Sequence, residues 1–197
     1  MYKSILIGLF VYLFVICNSI DLGSSASESF VLDVLGCNKA NGVFYILGYC
    51  YSGTKYEYDS SEDQIVIYQS DDVQGYCEST AMRSYVSVGT CIDNSMLNVT
   101  NTPTVPISEN VLVIDQYQGS CESSGNDVPL KSRQYYQTNT CLQISETEAQ
   151  IIVCATSTYT QTIYNSTSCE TDTIIDSYNY SLGKSCTISS ATIEYCQ

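Results

Sequence analysis

Histidine and tryptophan are absent from this 197-residue chain, which holds only seven Lys and Arg residues and three prolines. Without histidine the commonest general base is missing, so neither a Ser-His-Asp nor a Cys-His catalytic set can be assembled. No Gly-x-Ser-x-Gly turn is present to expose a serine nucleophile. Zinc lacks its usual frame as well, because no Cys-x-x-Cys pair occurs. The Asp-x-Asp-x-Asp-Gly loop that holds calcium is missing, and Asp59, Glu62, Asp63, Asp71 and Asp72 read as a solvated acidic loop. The sequence therefore implies no cofactor, no metal and no catalytic residue. A carboxylate pair of the glycosidase kind leaves no motif, since its members meet only in the fold, and it stands as a third reading of the function.

Positive charge is scarce throughout. Against 21 Asp and Glu residues it rules out nucleic acid and anionic membrane surfaces as partners, both of which are gripped by Lys and Arg clusters.

Long apolar runs are missing everywhere except at the start. Lys3 precedes twelve residues from Ile5 to Ile16 dominated by apolar side chains, followed by Cys17, Asn18 and Ser19. This has the form of a secretory signal peptide, residues 1–19, cut before Ile20. Twelve residues are too few for a bilayer core of about 30 Å, which needs roughly 20, so no membrane insertion is expected after cleavage. Cleavage takes nineteen residues and Cys17 with them, leaving 178 residues with ten of the eleven cysteines, six basic residues and a net charge of −15. An even cysteine set in an exported chain reads as a disulfide framework. Three N-glycosylation sequons, at Asn98, Asn165 and Asn179, fit the same secreted, extracellular route.

What the chain has in abundance is repetition. Gln74-Gly75-Tyr76-Cys77-Glu78-Ser79 recurs as Gln118-Gly119-Ser120-Cys121-Glu122-Ser123, and Cys169-Glu170-Thr171 echoes its second half. Downstream of each, five residues separate an aromatic side chain from a cysteine: Tyr85 and Cys91, Tyr135 and Cys141, Tyr180 and Cys186. Phe44 and Cys50 share that spacing and mark a first copy led by Cys37. A β-branched run closes the copies, as in Ile65-Val66-Ile67, Val111-Leu112-Val113-Ile114, Ile151-Ile152-Val153 and Thr192-Ile193. Four diverged copies follow, with residues 20–110 carrying the first two and 111–197 the last two.

Ten cysteines permit about 945 pairings, a degeneracy the repeat reduces. If each copy closes on itself, Cys37 joins Cys50, Cys77 joins Cys91, Cys121 joins Cys141 and Cys169 joins Cys186. Cys154 and Cys196 are left, in the same slot of the third and fourth copies, and tie those copies together. A rival scheme joins Cys141 to Cys154 and Cys186 to Cys196.

Valine, isoleucine, threonine and tyrosine outweigh helix formers, which predicts an all-β fold, an antiparallel sandwich or two small sandwiches with about three short strands per copy. Ile65 to Tyr68 and Val111 to Ile114 read as strands buried on both faces. Loops are placed at 38–42, at 125–127 and at 101–106. Ser145 with Glu148 is the one capping-box hint of a helix. Tyrosine supplies large half-buried surfaces, with Tyr135, Tyr136, Tyr178 and Tyr180 as candidate binding residues and a glycan on Asn179 expected to cover the last two.

These features describe a secreted, glycosylated, non-catalytic binding or structural module. Its partner is an extracellular protein or a glycan, and a carbohydrate-binding lectin is the alternative reading.

Overall fold

The computed structural model describes residues 29–70, 77, 82–107, 109–118, 130–186 and 190–197. The signal segment with Cys17, the loop at 125–127, Asp71, Asp72 and Cys121 lie outside the described residues. The chain is all-β. Its strands are β1 (Phe30–Leu35), β2 (Asn41–Ile46), β3 (Cys50–Tyr51), β4 (Thr54–Asp59), β5 (Gln64–Gln69), β6 (Met82–Ser87), β7 (Cys91–Ile92) and β8 (Ser95–Thr100). The second half continues with β9 (Val111–Gln118), β10 (Leu130–Gln137), β11 (Leu142–Gln143), β12 (Ala149–Cys154), β13 (Thr158–Tyr164), β14 (Ile174–Ser181), β15 (Gly183–Cys186) and β16 (Ser190–Cys196). One 3-10 turn, Thr171–Thr173, precedes β14.

The first three copies supply four strands each rather than three, and the fourth supplies three, β14 to β16, with β1, ahead of the first copy, making up the set. The additional strand carries or adjoins the second cysteine, and at two to four residues it is too short to show a period in sequence. Every four-strand group then has one order: β3-β4-β5-β6, β7-β8-β1-β2, β11-β12-β13-β14 and β15-β16-β9-β10, all antiparallel. In each group a short strand stands at one edge and the long strand that follows a leading cysteine at the other. The last strand of a copy pairs across the copy boundary, β5 with β6, β9 with β10 and β13 with β14, whereas the β-branched run of the third copy lies in β12 and keeps β11 and β13 of its own copy. β1 fills the same place against β2.

The groups containing β2 and β10 meet edge to edge, giving one eight-stranded sheet, β15-β16-β9-β10-β2-β1-β8-β7. Alternation along the strands divides its side chains between two faces. Val31 and Leu97 pack with Ile65 under the first small sheet, and Leu112 packs with Ile152 and Tyr159 under the second. Both small sheets therefore cover one face. Phe30, Phe44, Val111, Val113 and Tyr135 form a third core on the opposite face, where Val105 and Ile107 of the β8–β9 connection lie against them. Val111 to Val113 are all at or below 1% exposure, the doubly buried strand expected of their run. Each such aliphatic side chain contributes about 1.5–3 kcal/mol on burial.

A buried ion pair sits in the same sheet. Arg133 Nε donates to Asp115 Oδ1 at 2.6 Å and Nη2 to Oδ2 at 2.8 Å across the β9–β10 pair, and Asp115 is 2% exposed. The remaining nitrogen, Nη1, donates to the Pro103 carbonyl at 2.8 Å and fastens the β8–β9 connection.

The disulfides correct the pairing expected from sequence. Cys37 bonds Cys91, Cys50 bonds Cys77 and Cys141 bonds Cys169, so the copies do not close on themselves. Cys186 is also bonded, and not to Cys169, whose partner is Cys141. Neither Cys141–Cys154 nor Cys186–Cys196 forms, because Cys154 bonds Cys196. The reason is topological. The leading cysteine of a copy lies in one sheet and its second cysteine, beyond the next strand, lies in the opposite layer. Each of these three bonds instead joins the short edge strand of a four-strand group, at or beside its first residue, to the connection entering that group's far edge strand. Cys154 and Cys196 end equivalent strands of the two packed sheets in the second half and link them through their inner faces.

Candidate binding cleft

Where β2 meets β10, the two small sheets leave the inner face of the large sheet partly uncovered. A cleft of about 790 Å³ lies there, within the range of about 300–1,000 Å³ common to ligand sites. Its floor includes Asn41 of β2 and Tyr136 of β10, which are direct cross-strand partners.

Two hairpins contribute to the cleft, and they are the same hairpin in successive copies. In the second copy β7 and β8 are joined by Asp93 and Asn94, with φ of 49° and 63°, the two-residue turn that suits Asp and Asn. In the third copy the equivalent connection between β11 and β12 is lengthened to residues 144–148. Here the expected helix cap is replaced by a turn. Ser145 Oγ does accept from the Glu148 amide at 3.0 Å, but the bond closes a β-hairpin.

Polar groups dominate the lining. Amides come from Asn41, Asn94, Gln143 and Gln150, and carboxylates from Asp93 and Glu146; no Lys or Arg is among the lining residues. Asn41 is 5% exposed, and no hydrogen bond to its side-chain amide is found among the described residues. Gln150, 4% exposed, accepts from Gln161 Nε2 at 2.6 Å, which leaves its own NH2 group available. Ser95 faces the cleft while its hydroxyl donates to Asp33 Oδ1 behind it. Burial holds the Asp33 carboxyl above its ordinary range, with the Ser95 hydrogen bond acting the other way. Burial also raises the Tyr136 phenol. Apolar surface is supplied by Leu35 and Ile144.

No family model matches the chain, and no curated protein or solved structure does either.

The residues singled out from sequence fall in different places. Tyr135 is fully buried in the third core and is no binding surface; a tyrosine there fills the space over Gly42. Tyr136 reaches the cleft. Tyr178 and Tyr180 are exposed on edge strand β14, where Tyr180 stacks on Tyr159 at 4.9 Å and the Tyr178 hydroxyl donates to Asp176. They stand at the edge of this sheet opposite β11, and neither lines the cleft. Asn179 lies between them and so points to the other face, where its Oδ1 accepts from Thr160 at 2.6 Å. A glycan on it therefore projects away from both tyrosines, contrary to the sequence expectation. Asn165 is exposed in the turn after β13, and Asn98 is half-buried in β8. Of the acidic loop, Asp59 accepts from Ser61 and Asp63 from Tyr58, and no metal-binding cluster is present among the described residues.

The cleft residues Asn41, Gln143 and Gln150 were missed. The sequence places Asn41 in the loop at 38–42, whereas it and Gly42 are buried in β2. The sequence signal for the Asp93-Asn94 turn was present, but nothing in it says which hairpin will face which.

Proposed function

We propose that the chain is a secreted, N-glycosylated, non-catalytic module that binds its partner outside the cell through this cleft. The observation that carries the reading is that equivalent hairpins of two different copies meet over the β2–β10 junction on sheets fixed by disulfides. Such a site is preformed and loses little freedom when it is filled. The bonds fit an oxidising compartment, and no helix among the described residues is long and apolar enough to cross a membrane. Among the few basic side chains, Lys55 is engaged by Glu57 and Arg133 by Asp115, which leaves little to grip phosphate.

The test is export from a eukaryotic cell followed by binding to that cell's surface. The mature chain should start at Ile20, lack free thiols and lose mass on treatment with peptide N-glycosidase. It should adhere saturably, and Ser145→Trp, which fills the cleft from an exposed turn, should abolish adhesion while lowering Tm by no more than the loss of the turn's Ser145 hydrogen bonds accounts for. Free thiols in the exported chain, or adhesion unaffected by Ser145→Trp, would overturn the reading.

A further inference from the structure

We infer that the ligand of the cleft is a neutral saccharide, a proposal that rests on the binding reading above and names its ligand class. Three features of the lining converge on it. First, Asn41 and Gln150 are both at least 95% buried, and each presents amide valences that no described protein group satisfies. Unlike the Tyr135 hydroxyl these atoms are not sealed from the cleft, so their free valences open into it and are there for a ligand to complete. Side-chain amides offer donor and acceptor together, which is what a sugar hydroxyl also offers, and vicinal hydroxyls match neighbouring amides.

Second, the charge at the cleft has one sign. Asp93 and Glu146 line it without a compensating cation, so sulfate, phosphate or sialic acid carboxylate would be repelled. A neutral sugar instead donates its hydroxyls to these carboxylates, and hydrogen bonds to a charged group are the stronger kind. Third, the Tyr136 ring, Leu35 and Ile144 give apolar patches against which the C–H face of a pyranose can lie. A volume of about 790 Å³ accommodates more than one ring.

A polycationic ligand is the competitor on charge alone. It leaves the NH2 groups of Asn41 and Gln150 unanswered, because an ammonium group donates but does not accept.

The absence of tryptophan makes the test direct. Ile144→Trp places the chain's single indole in the cleft wall, at a side chain already 44% exposed. The full-length exported chain, freed of its own N-glycans, is applied to an array of neutral, sulfated and sialylated oligosaccharides, and neutral hits are titrated against the indole fluorescence. The expected result is saturable binding to neutral glycans, unchanged between low and high salt, weakened about tenfold or more by Asn41→Leu and by Gln143→Ala. Gln143 is exposed, so its variant reports even if Asn41→Leu fails to fold. Preference for anionic glycans, binding only to polylysine or spermine, no binding to neutral glycans, or binding untouched by both variants would overturn the inference. If saccharides fail while cell-surface adhesion still depends on Ser145, the ligand class alone is wrong and the binding reading stands.

Discussion

The Tyr135 ring lies directly across Gly42, its cross-strand partner at the junction of the two halves, so closely that a Cβ built on Gly42 would stand 2.8 Å from the Tyr135 hydroxyl and 2.7 Å from the Asp33 carbonyl. A bare backbone covered by an aromatic ring is how a sheet keeps its packing at a glycine. Gly42→Ala should therefore destabilise by about 1–3 kcal/mol, read as a lower denaturation midpoint at unchanged slope. The contact is with backbone on one side, so little relief is available.

Tyr135 carries a second consequence. Its hydroxyl is buried without a hydrogen-bond partner among the described residues, and burial, with the Asp33 charge adding to it, pushes the phenol up to about 12. Tyr135→Phe removes an unsatisfied group while keeping the ring over Gly42. It should be neutral or stabilising by up to about 1–3 kcal/mol. A loss of stability would show that the hydroxyl has a partner.

Disulfide connectivity separates two topologies that the same cysteines allow. Non-reducing peptide mapping should recover Cys37 with Cys91, Cys50 with Cys77 and Cys141 with Cys169, with no Cys37–Cys50 peptide. Cys37→Ser with Cys91→Ser opens a loop spanning 54 positions and should cost about 4 kcal/mol on the chain-entropy model.

The sequence shows why this crossing was hidden while the repeat was not. Spacing of Tyr85 to Cys91 or Tyr135 to Cys141 fixes equivalent positions within copies, and the four strand groups do share one order. The unbroken apolar run Val111–Ile114 identifies a doubly buried strand. Neither signal names the strand it pairs with, and β9 takes β10 and β16 as neighbours because the last strand of a copy pairs across the copy boundary. The cleft was illegible for the same reason: Asn41 and the hairpin at 144–148 are separated by about a hundred residues and meet through the β2–β10 pairing alone. The Cys154–Cys196 bond was readable because it links one slot in two copies, a relation that holds in sequence and in space.

The Arg133–Asp115 pair should respond asymmetrically to mutation. Arg133→Met leaves the Asp115 carboxyl, 2% exposed, without its ion-pair partner and, among the described residues, with the Tyr117 and Tyr195 hydroxyls at 3.4 Å, and should cost about 3–5 kcal/mol. Replacing both residues together, with Asp115→Leu and Arg133→Met, should recover most of that loss, though the tie to Pro103 is gone in either case. A double-mutant cycle by chemical denaturation measures the difference.

Asp33, the partner of the cleft residue Ser95, makes stability depend on pH. Burial holds its folded carboxyl above the ordinary 3.8, so the folded state binds the proton more tightly than the unfolded chain. Its contribution to stability is complete below 3.8 and is lost as pH rises through the folded value, which makes the ionised group a liability at neutral pH. Asp33→Asn keeps an oxygen to accept from Ser95 and removes the charge that burial penalises. The variant should melt higher than the parent at pH 7, and the two melting curves should converge as pH falls below 3.8. A variant that melts lower at pH 7 would mean that the Ser95 hydroxyl requires the full carboxylate, in which case desolvation is not the dominant influence on this group.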